Sequence, residues 1–326
     1  MATGLSEALR VKGEAVLRGT MPVFQPGSPL ASGITHLFVV TLWVCAAIFA
    51  LVTCLIVYII IRFRRHPGAS EPPQVSGYRP LEVLWTLLPL LTLVWLFILT
   101  VQAMHVADPA PHGEPDVIIT GHQWWWDVVY PGAGVVTANE IHIPVGRQLL
   151  LRLESADVIH DFWVPALTRK MDMVPGHPNH IWLAADQPGM YAGACAEFCG
   201  VQHAWMRVLV IAHVPAEFAA WLEQQRQPAP GAVTTAAQGG RHVFEQLTCV
   251  NCHTIAGTGA SPRLAPDLTH LASRRTLGAG VLENTPPNLV RWLHNPQAIK
   301  PGSHMPQVLL SEAQVQDLTA YLETLR

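Results

Sequence analysis

The sequence predicts a multidomain membrane protein: a hairpin of two transmembrane helices, then a β-rich domain, then an all-helical domain. Three observations predict it. Two long runs in the first third of the chain carry no charge. Short β-branched runs, separated by turn residues, fill the middle. An uncharged stretch rich in Pro, Ala and Gly then precedes a segment with helical periodicity.

The 326 residues are enough for two or three modest domains. Charged residues make up 13% of the chain and hydrophobic residues 50%, where an ordinary soluble protein is ~25% charged. The net charge is −3 and the mean hydropathy +0.27. This balance disfavours a polycation that wraps nucleic acid, and equally a disordered chain. No nucleic acid is expected as a partner.

The missing charge has an address. Residues 37–61 are 25 positions without Asp, Glu, Lys, Arg or His. A bilayer-spanning helix needs about 20. Residues 83–101 add 19 more, extending to Met104. Pro89 is tolerated there if neighbours satisfy the freed carbonyl. A buried core helix is the alternative, but such helices are usually shorter and keep a polar face. The expected hairpin spans residues 36–104, with helices over about 36–62 and 81–104. The connecting loop, residues 62–80, holds Arg62, Arg64, Arg65 and Arg79, which places it in the cytoplasm by the positive-inside rule. Residues 1–35, an N-terminal segment, and everything after Met104 then lie on the outer side. Arg10, Lys12 and Arg18 are not followed by a short apolar run before Leu37. Either a leader has been removed or the first helix directs its own insertion.

The outer part divides in two. Residues 105–226 carry 13 acidic and 6 basic residues, and residues 241–326 carry 6 and 7. Between them, residues 227–240 (QPAPGAVTTAAQGG) have the composition of a linker. The first segment reads as β. Runs at 116–120, 148–153, 180–184 and 207–213 are punctuated by Pro131-Gly132 and Pro188-Gly189, which suggests a sandwich or small barrel. Residues 215–225 read as a closing helix. The last segment reads as helical: Ser311 can cap a helix with Gln314 three residues on, and Leu318, Tyr321 and Leu322 form an apolar stripe.

Six cysteines sort the chemistry. Cys45 and Cys54 lie in the first apolar run and serve as small apolar residues. Cys195 and Cys199 lie in CAEFCGVQHAWM, with Glu197, His203 and Met206. Two thiolates, an imidazole and a thioether suit a soft or borderline metal, copper best of all. A blue-copper site uses one Cys; two can bridge a pair of copper ions. A second imidazole would balance the set, and His160 in ADVIHDFWVP is the candidate. A disulfide and a four-ligand zinc site are the alternatives. A disulfide leaves His203 and Met206 unexplained, and zinc rarely takes Met.

Cys249 and Cys252 lie in CVNCH, the c-type haem attachment pattern, with His253 as proximal iron ligand. A thioredoxin-like pair would need a βαβ context that this sequence lacks. Met305 in KPGSHMP is the candidate sixth ligand, with His304 next and a plain core Met as the alternative.

These motifs together resemble subunit II of a haem–copper cytochrome c oxidase of the caa type, with a cytochrome c domain fused at the C-terminus. The resemblance covers about residues 34–326: the hairpin, the GHQWWW segment, His160, the copper loop and the haem domain. It implies a cupredoxin-like β-barrel followed by an all-α class I cytochrome c domain. It also implies a binuclear CuA centre held by His160, Cys195, Cys199, His203, Met206 and the Glu197 carbonyl. The Glu197 side chain matches a residue that reaches Mg or Mn at the border with subunit I. Trp124, opening the Trp124–Trp126 cluster, matches an electron-entry patch, with barrel core or a membrane-interface belt as alternatives. Three consecutive Trp cannot all point one way in a strand, so at least one should face out. Glu82 matches a glutamate near a proton-channel entrance, where an acid could equally just sit at the interface.

Three positions depart from the family pattern: Trp125 stands for Tyr, Asp161 for Ser, and His177 for Arg. Asp161 raises the expectation of a perturbed His160 or a bound partner, and His177 puts one subunit I contact in doubt. The implied activity is electron entry to a proton-pumping cytochrome c oxidase. Electrons pass from haem c to CuA and on to subunit I, which reduces dioxygen to water with its haem a and haem–CuB site. Subunit III, membrane lipid and a donor (cytochrome c or a quinol-oxidising complex) complete the expected partners. The expected location is the bacterial inner (plasma) membrane, with both redox domains on the periplasmic side. A CuA-bearing nitric oxide reductase subunit, and a membrane-tethered electron shuttle or copper carrier, are the competing readings.

Overall fold

The computed structural model describes residues 21–64, 67–68, 71 and 77–326. Arg10, Lys12 and Arg18, and Arg65 of the 62–80 loop, lie outside the described residues. The chain forms two compact units.

One unit, residues 32–109, is the helical hairpin. Helix α1 runs Pro29–Arg62 and α2 Arg79–Ala107. Helix α1 starts before the charge-free run because its first turn has its own start signals. Pro29 suits that turn, and the Ser28 hydroxyl accepts from the Ala31 amide at 3.0 Å. Large apolar side chains such as Phe49, Ile61, Leu91 and Phe97 are exposed around both helices. Water would not tolerate that surface, whereas hydrocarbon would. Thr41, Thr92 and Thr100 turn their hydroxyls back onto the carbonyls four residues earlier, which hides those donors from an apolar surround.

The other unit begins with a β domain of two five-stranded sheets. Strands β1 Val117–His122, β2 Trp125–Tyr130, β3 Val135–Ala138, β5 Leu149–Ser155 and β8 Asn179–Leu183 form the first, in the order β3-β2-β1-β5-β8. The second has the order β4-β10-β9-β6-β7, from β4 Glu140–Pro144, β6 His160–Trp163, β7 Met171–Met173, β9 Gly189–Cys195 and β10 Arg207–His213. Pairs β1/β5 and β4/β10 are parallel, and the rest antiparallel. Alternate residues point inward, so Ile119, Leu151, Leu153, Phe162, Ile181 and Val210 make a shared core. Helix α3, Pro215–Arg226, packs Phe218, Trp221 and Leu222 against it.

The C-terminal domain has its own core. Its helices are α4 Thr235–Gln246, α5 Pro286–His294, the short α6 Pro296–Ile299 and α7 Glu312–Leu322. A two-stranded ribbon, β11 Thr276–Leu277 and β12 Leu282–Glu283, joins them. Ser311 and Gln314 make the expected capping box at the start of α7, and Leu318, Tyr321 and Leu322 are buried.

The stretch 227–240 differs from a free tether. Its second half is the start of α4, capped by Thr234. Gly239 and Gly240 serve contact rather than flexibility: a Cβ on Gly240 would lie 1.9 Å from the Asp317 carbonyl oxygen of α7. Gly240→Ala must therefore push α4 and α7 apart. It should destabilise the C-terminal domain by roughly 1–3 kcal/mol while the β domain keeps its unfolding transition. Thermal denaturation of the purified protein reads both.

Candidate functional site

The loop between β9 and β10 brings chemistry to one end of the β domain. Cys195 ends β9, and Cys199, His203 and Met206 follow before β10 begins. His160 opens the neighbouring strand β6. The Cys195 and Cys199 sulfurs lie 3.7 Å apart, far beyond a disulfide bond of about 2.05 Å. His160 Nδ1 is 3.9 Å from Cys195 Sγ. His203 Nδ1 is 3.7 Å and Met206 Sδ 3.8 Å from Cys199 Sγ. The Glu197 carbonyl oxygen is 3.1 Å from Cys195 Sγ, and the Glu197 side chain is exposed. His160, Cys195, Cys199 and Met206 are buried. The five side-chain donors and the Glu197 carbonyl that the resemblance implies therefore lie together, and two free thiols among imidazole and thioether fit soft-metal binding.

The surroundings prepare this cluster. Gly121 of β1 faces His160, and a Cβ there would come within 2.7 Å of the imidazole Cδ2. His160 Nε2 bonds the Asp157 carboxylate at 2.8 Å, which directs Nδ1 to the sulfurs. Burial would lower the imidazole pKa, but Asp157 and Cys195 together outweigh it and raise it. The Asp157 carboxyl is held below its usual range despite burial, by His160 and by the Gln123 and Val158 amides. In Cys195, the hydrogen bond from Cys199 overcomes burial and favours the thiolate.

Sequence reasoning missed Asp157, three residues before His160. It singles out Asp161 instead, as a group that perturbs His160 or binds a partner. Asp161 points the other way, toward Asp172 across the β6–β7 ladder. Burial first, and Asp172 second, push its carboxyl up to about 7. His177 is exposed. Glu82 belongs to the hairpin unit, exposed in the first turn of α2.

A cavity of about 570 Å³ opens beside the copper-type cluster. The C-terminal domain lines it with Cys249, Cys252, His253, His304 and Met305, and the β domain with Trp124 and Trp125. His253 Nδ1 lies 2.8 Å from the Pro266 carbonyl, so it carries the proton and Nε2 keeps its lone pair. Burial lowers the His253 pKa and favours that neutral form. Gln297 Nε2 donates to the Met305 carbonyl at 2.7 Å and fixes that loop. Paired thiols, a neutral imidazole and a thioether around an apolar cavity fit a covalently held haem.

Trp124 sits where the two sites meet. Its Nε1 donates to the Cys199 carbonyl at 2.9 Å, and its ring lies 5.3 Å from that of His304. It is only 7% exposed, so the expected outward patch is covered by the C-terminal domain. Trp125 is half-buried and stacks on His122, and Trp126 is fully buried.

Two buried charges join the domains, and neither was singled out from sequence because their partners lie far along the chain. Lys300 of the C-terminal domain reaches the Trp124 and Trp205 carbonyls. Glu140 of β4 accepts from the Arg275 amide at 2.6 Å and the Thr276 amide at 3.0 Å. Its second oxygen, Oε2, has no partner among the described residues. Burial pushes this carboxyl up to about 7, against the pull of those amides and of Arg274. A pKa raised in the docked state makes its stabilising contribution complete below about 4.5 and lost as pH rises through about 7. Domain docking should thus weaken by up to about 3 kcal/mol over that range. Glu140→Gln, which imitates the protonated acid, should flatten this pH dependence. Limited proteolysis between the domains at a series of pH values measures it.

Family models match three parts of the chain. "Cytochrome C oxidase subunit II, transmembrane domain" matches residues 19–103, "Cytochrome C oxidase subunit II, periplasmic domain" residues 133–214, and "Cytochrome c" residues 237–326. Cytochrome c oxidase subunit 2 of Alkalihalophilus pseudofirmus is 38% identical over 94% of this chain and 91% of that protein. The Bacillus sp. protein of that name is 32% identical over 81% and 80%. The crystal structure of the periplasmic domain of subunit II of cytochrome oxidase from Bradyrhizobium japonicum is 32% identical, covering 36% of this chain and 96% of that one, with a TM-score of 0.34. The chain belongs to the cytochrome c oxidase subunit II family, in the form with a C-terminal cytochrome c domain: a membrane-anchored electron-transfer subunit of a haem–copper oxidase, with CuA and haem c as cofactors and subunit I as partner.

Proposed function

We propose that this chain is the electron-entry subunit of a proton-pumping terminal oxidase in a bacterial inner membrane. Residues 36–104 anchor it, residues 105–226 and 241–326 form the two redox domains on the periplasmic side, and the 62–80 loop is cytoplasmic. His160, Cys195, Cys199, His203, Met206 and the Glu197 carbonyl hold copper. Cys249 and Cys252 would hold haem c covalently, and His253 and Met305 would supply ligands to its iron. When bound, these groups supply one-electron redox chemistry, carrying electrons from a donor by haem c and then CuA to subunit I, which reduces dioxygen to water.

One observation carries this reading: a single side chain, Trp124, both lines the cavity of the CVNCH domain and hydrogen-bonds the backbone of Cys199. The residues of the chain do the rest. Asp157 fixes the His160 tautomer. The barrel keeps the sulfurs out of water and their geometry rigid, which limits reorganisation on electron transfer. The exposed Glu197 side chain is free to reach Mg or Mn at the border with subunit I. Glu82 would stand near a proton-channel entrance, with subunit III alongside. Cytochrome c or a quinol-oxidising complex is the donor.

Spectroscopy of the purified complex tests the reading. Haem a bands, haem c bands and a multiline mixed-valence copper EPR signal should appear together. Copurification without a haem a-containing partner sinks the oxidase assignment. Cys199→Ser should abolish the delocalised copper signal and spare haem c; a surviving signal would mean that the ligand set is wrong.

A further inference from the structure

Lys300 is 4% exposed and has no carboxylate partner among the described residues. Its Nζ donates to the carbonyls of Trp124 at 2.8 Å, Trp205 at 2.9 Å and Gly278 at 2.8 Å. These three bonds use every N–H of the ammonium. Burying a lysine is costly, and lysines are almost never fully buried unless paired. Burial pulls this one down to about 7. The three carbonyls come from three separate segments. Trp124 precedes β2, Trp205 precedes the ligand Met206, and Gly278 belongs to the haem domain. Lys300 itself lies five positions before Met305.

The consequence falls on Trp124. Its indole is held by Cys199 on the copper side and by His304 on the cavity side, while Lys300 holds its backbone. Other contacts also dock the domains, among them Arg207 N to the Ala279 carbonyl at 3.1 Å and Glu140 to Arg275 and Thr276. Docking as such does not need a buried cation. Among the described residues, only Lys300 hydrogen-bonds the Trp124 segment, the copper loop and the haem domain through one side chain.

On the electron-transfer reading above, we propose that Lys300 is a positioning residue. Its ammonium sets Trp124 between the haem cavity and Cys199, so electrons cross between the domains in a standing docked state rather than through repeated encounters of a tethered domain. The intact oxidase complex tests this with Lys300→Met, which keeps the length of the side chain and removes its donors. A ruthenium photoreductant delivers one electron to haem c, and the optical bands of haem c and copper follow its departure.

The parent rate should not respond to added glycerol. In Lys300→Met the rate should fall by roughly tenfold or more, as small misplacements at a redox junction do, and should become viscosity-dependent. The haem c and copper spectra and potentials should not move, which a merely structural role would not guarantee. An unchanged rate in Lys300→Met, or a slower rate indifferent to viscosity, would overturn the role of Lys300. A parent complex with no haem-to-copper transfer would overturn the functional reading itself. If Lys300→Met fails to load either cofactor, Lys300→Gln, which retains an amide donor, is judged by the same rate and viscosity criteria.

Discussion

The backbone carbonyl of Cys199 accepts two hydrogen bonds, from Gln123 Nε2 at 2.8 Å and Trp124 Nε1 at 2.9 Å. This joint ties the irregular 196–206 loop to the segment between β1 and β2. Between its ends the same loop is also tied by Lys300 at the Trp205 carbonyl and by Gln202 at the Pro301 carbonyl, but this joint is the one beside Cys199 itself. The passage is tight. Gly200 has φ +115°, and a Cβ there would meet the Trp124 ring at 2.9 Å, so only glycine lets the loop pass beneath the indole. The ligand cluster and one wall of the cavity therefore meet at the Trp124 indole and the Cys199 carbonyl.

Much of this architecture is legible in the chain. The hairpin shows as missing charge, because hydrocarbon tolerates no unpaired ionic group. The sulfur and imidazole cluster shows in part as a spacing, because one loop carries Cys195, Cys199, His203 and Met206. What the sequence hides is what depends on distant partners. Glu140 and Arg275 are 135 positions apart, and Lys300 and Trp124 are 176 apart. No local pattern marks either pair. Asp161 stands next to His160 in the strand yet leaves the imidazole to Asp157, because neighbouring strand residues face opposite ways. Residues 234–240 look like a linker because small side chains suit both flexible tethers and helices that touch backbone to backbone. Composition does not separate the two uses.

The opposite charge tendencies of the two outer domains contribute less than specific groups do. Arg263 and Asp127 form an interdomain ion pair at 3.3 Å, and Arg263 is exposed enough for such a pair to add little. Glu140 and Lys300 instead bond backbone groups, whose positions are set by the folds. A buried ionisable group that bonds backbone favours one arrangement of the domains, because a shifted arrangement would leave it without partners in apolar surroundings. The domain interface is thus better described as specified than as sticky.

The crossing of α4 and α7 at Gly239 and Gly240 has a temporal meaning. These helices stand at the two ends of the haem domain, one opening it and one completing it. The β domain closes earlier, when β10 slots between β4 and β9. A growing chain that ends at residue 260 contains CVNCH, yet α7, whose Leu322 lines the cavity, is still unmade. Biogenesis therefore has a built-in order. Both five-stranded sheets are synthesised before α7, so the haem domain lacks one part of its cavity wall until Leu322 is made.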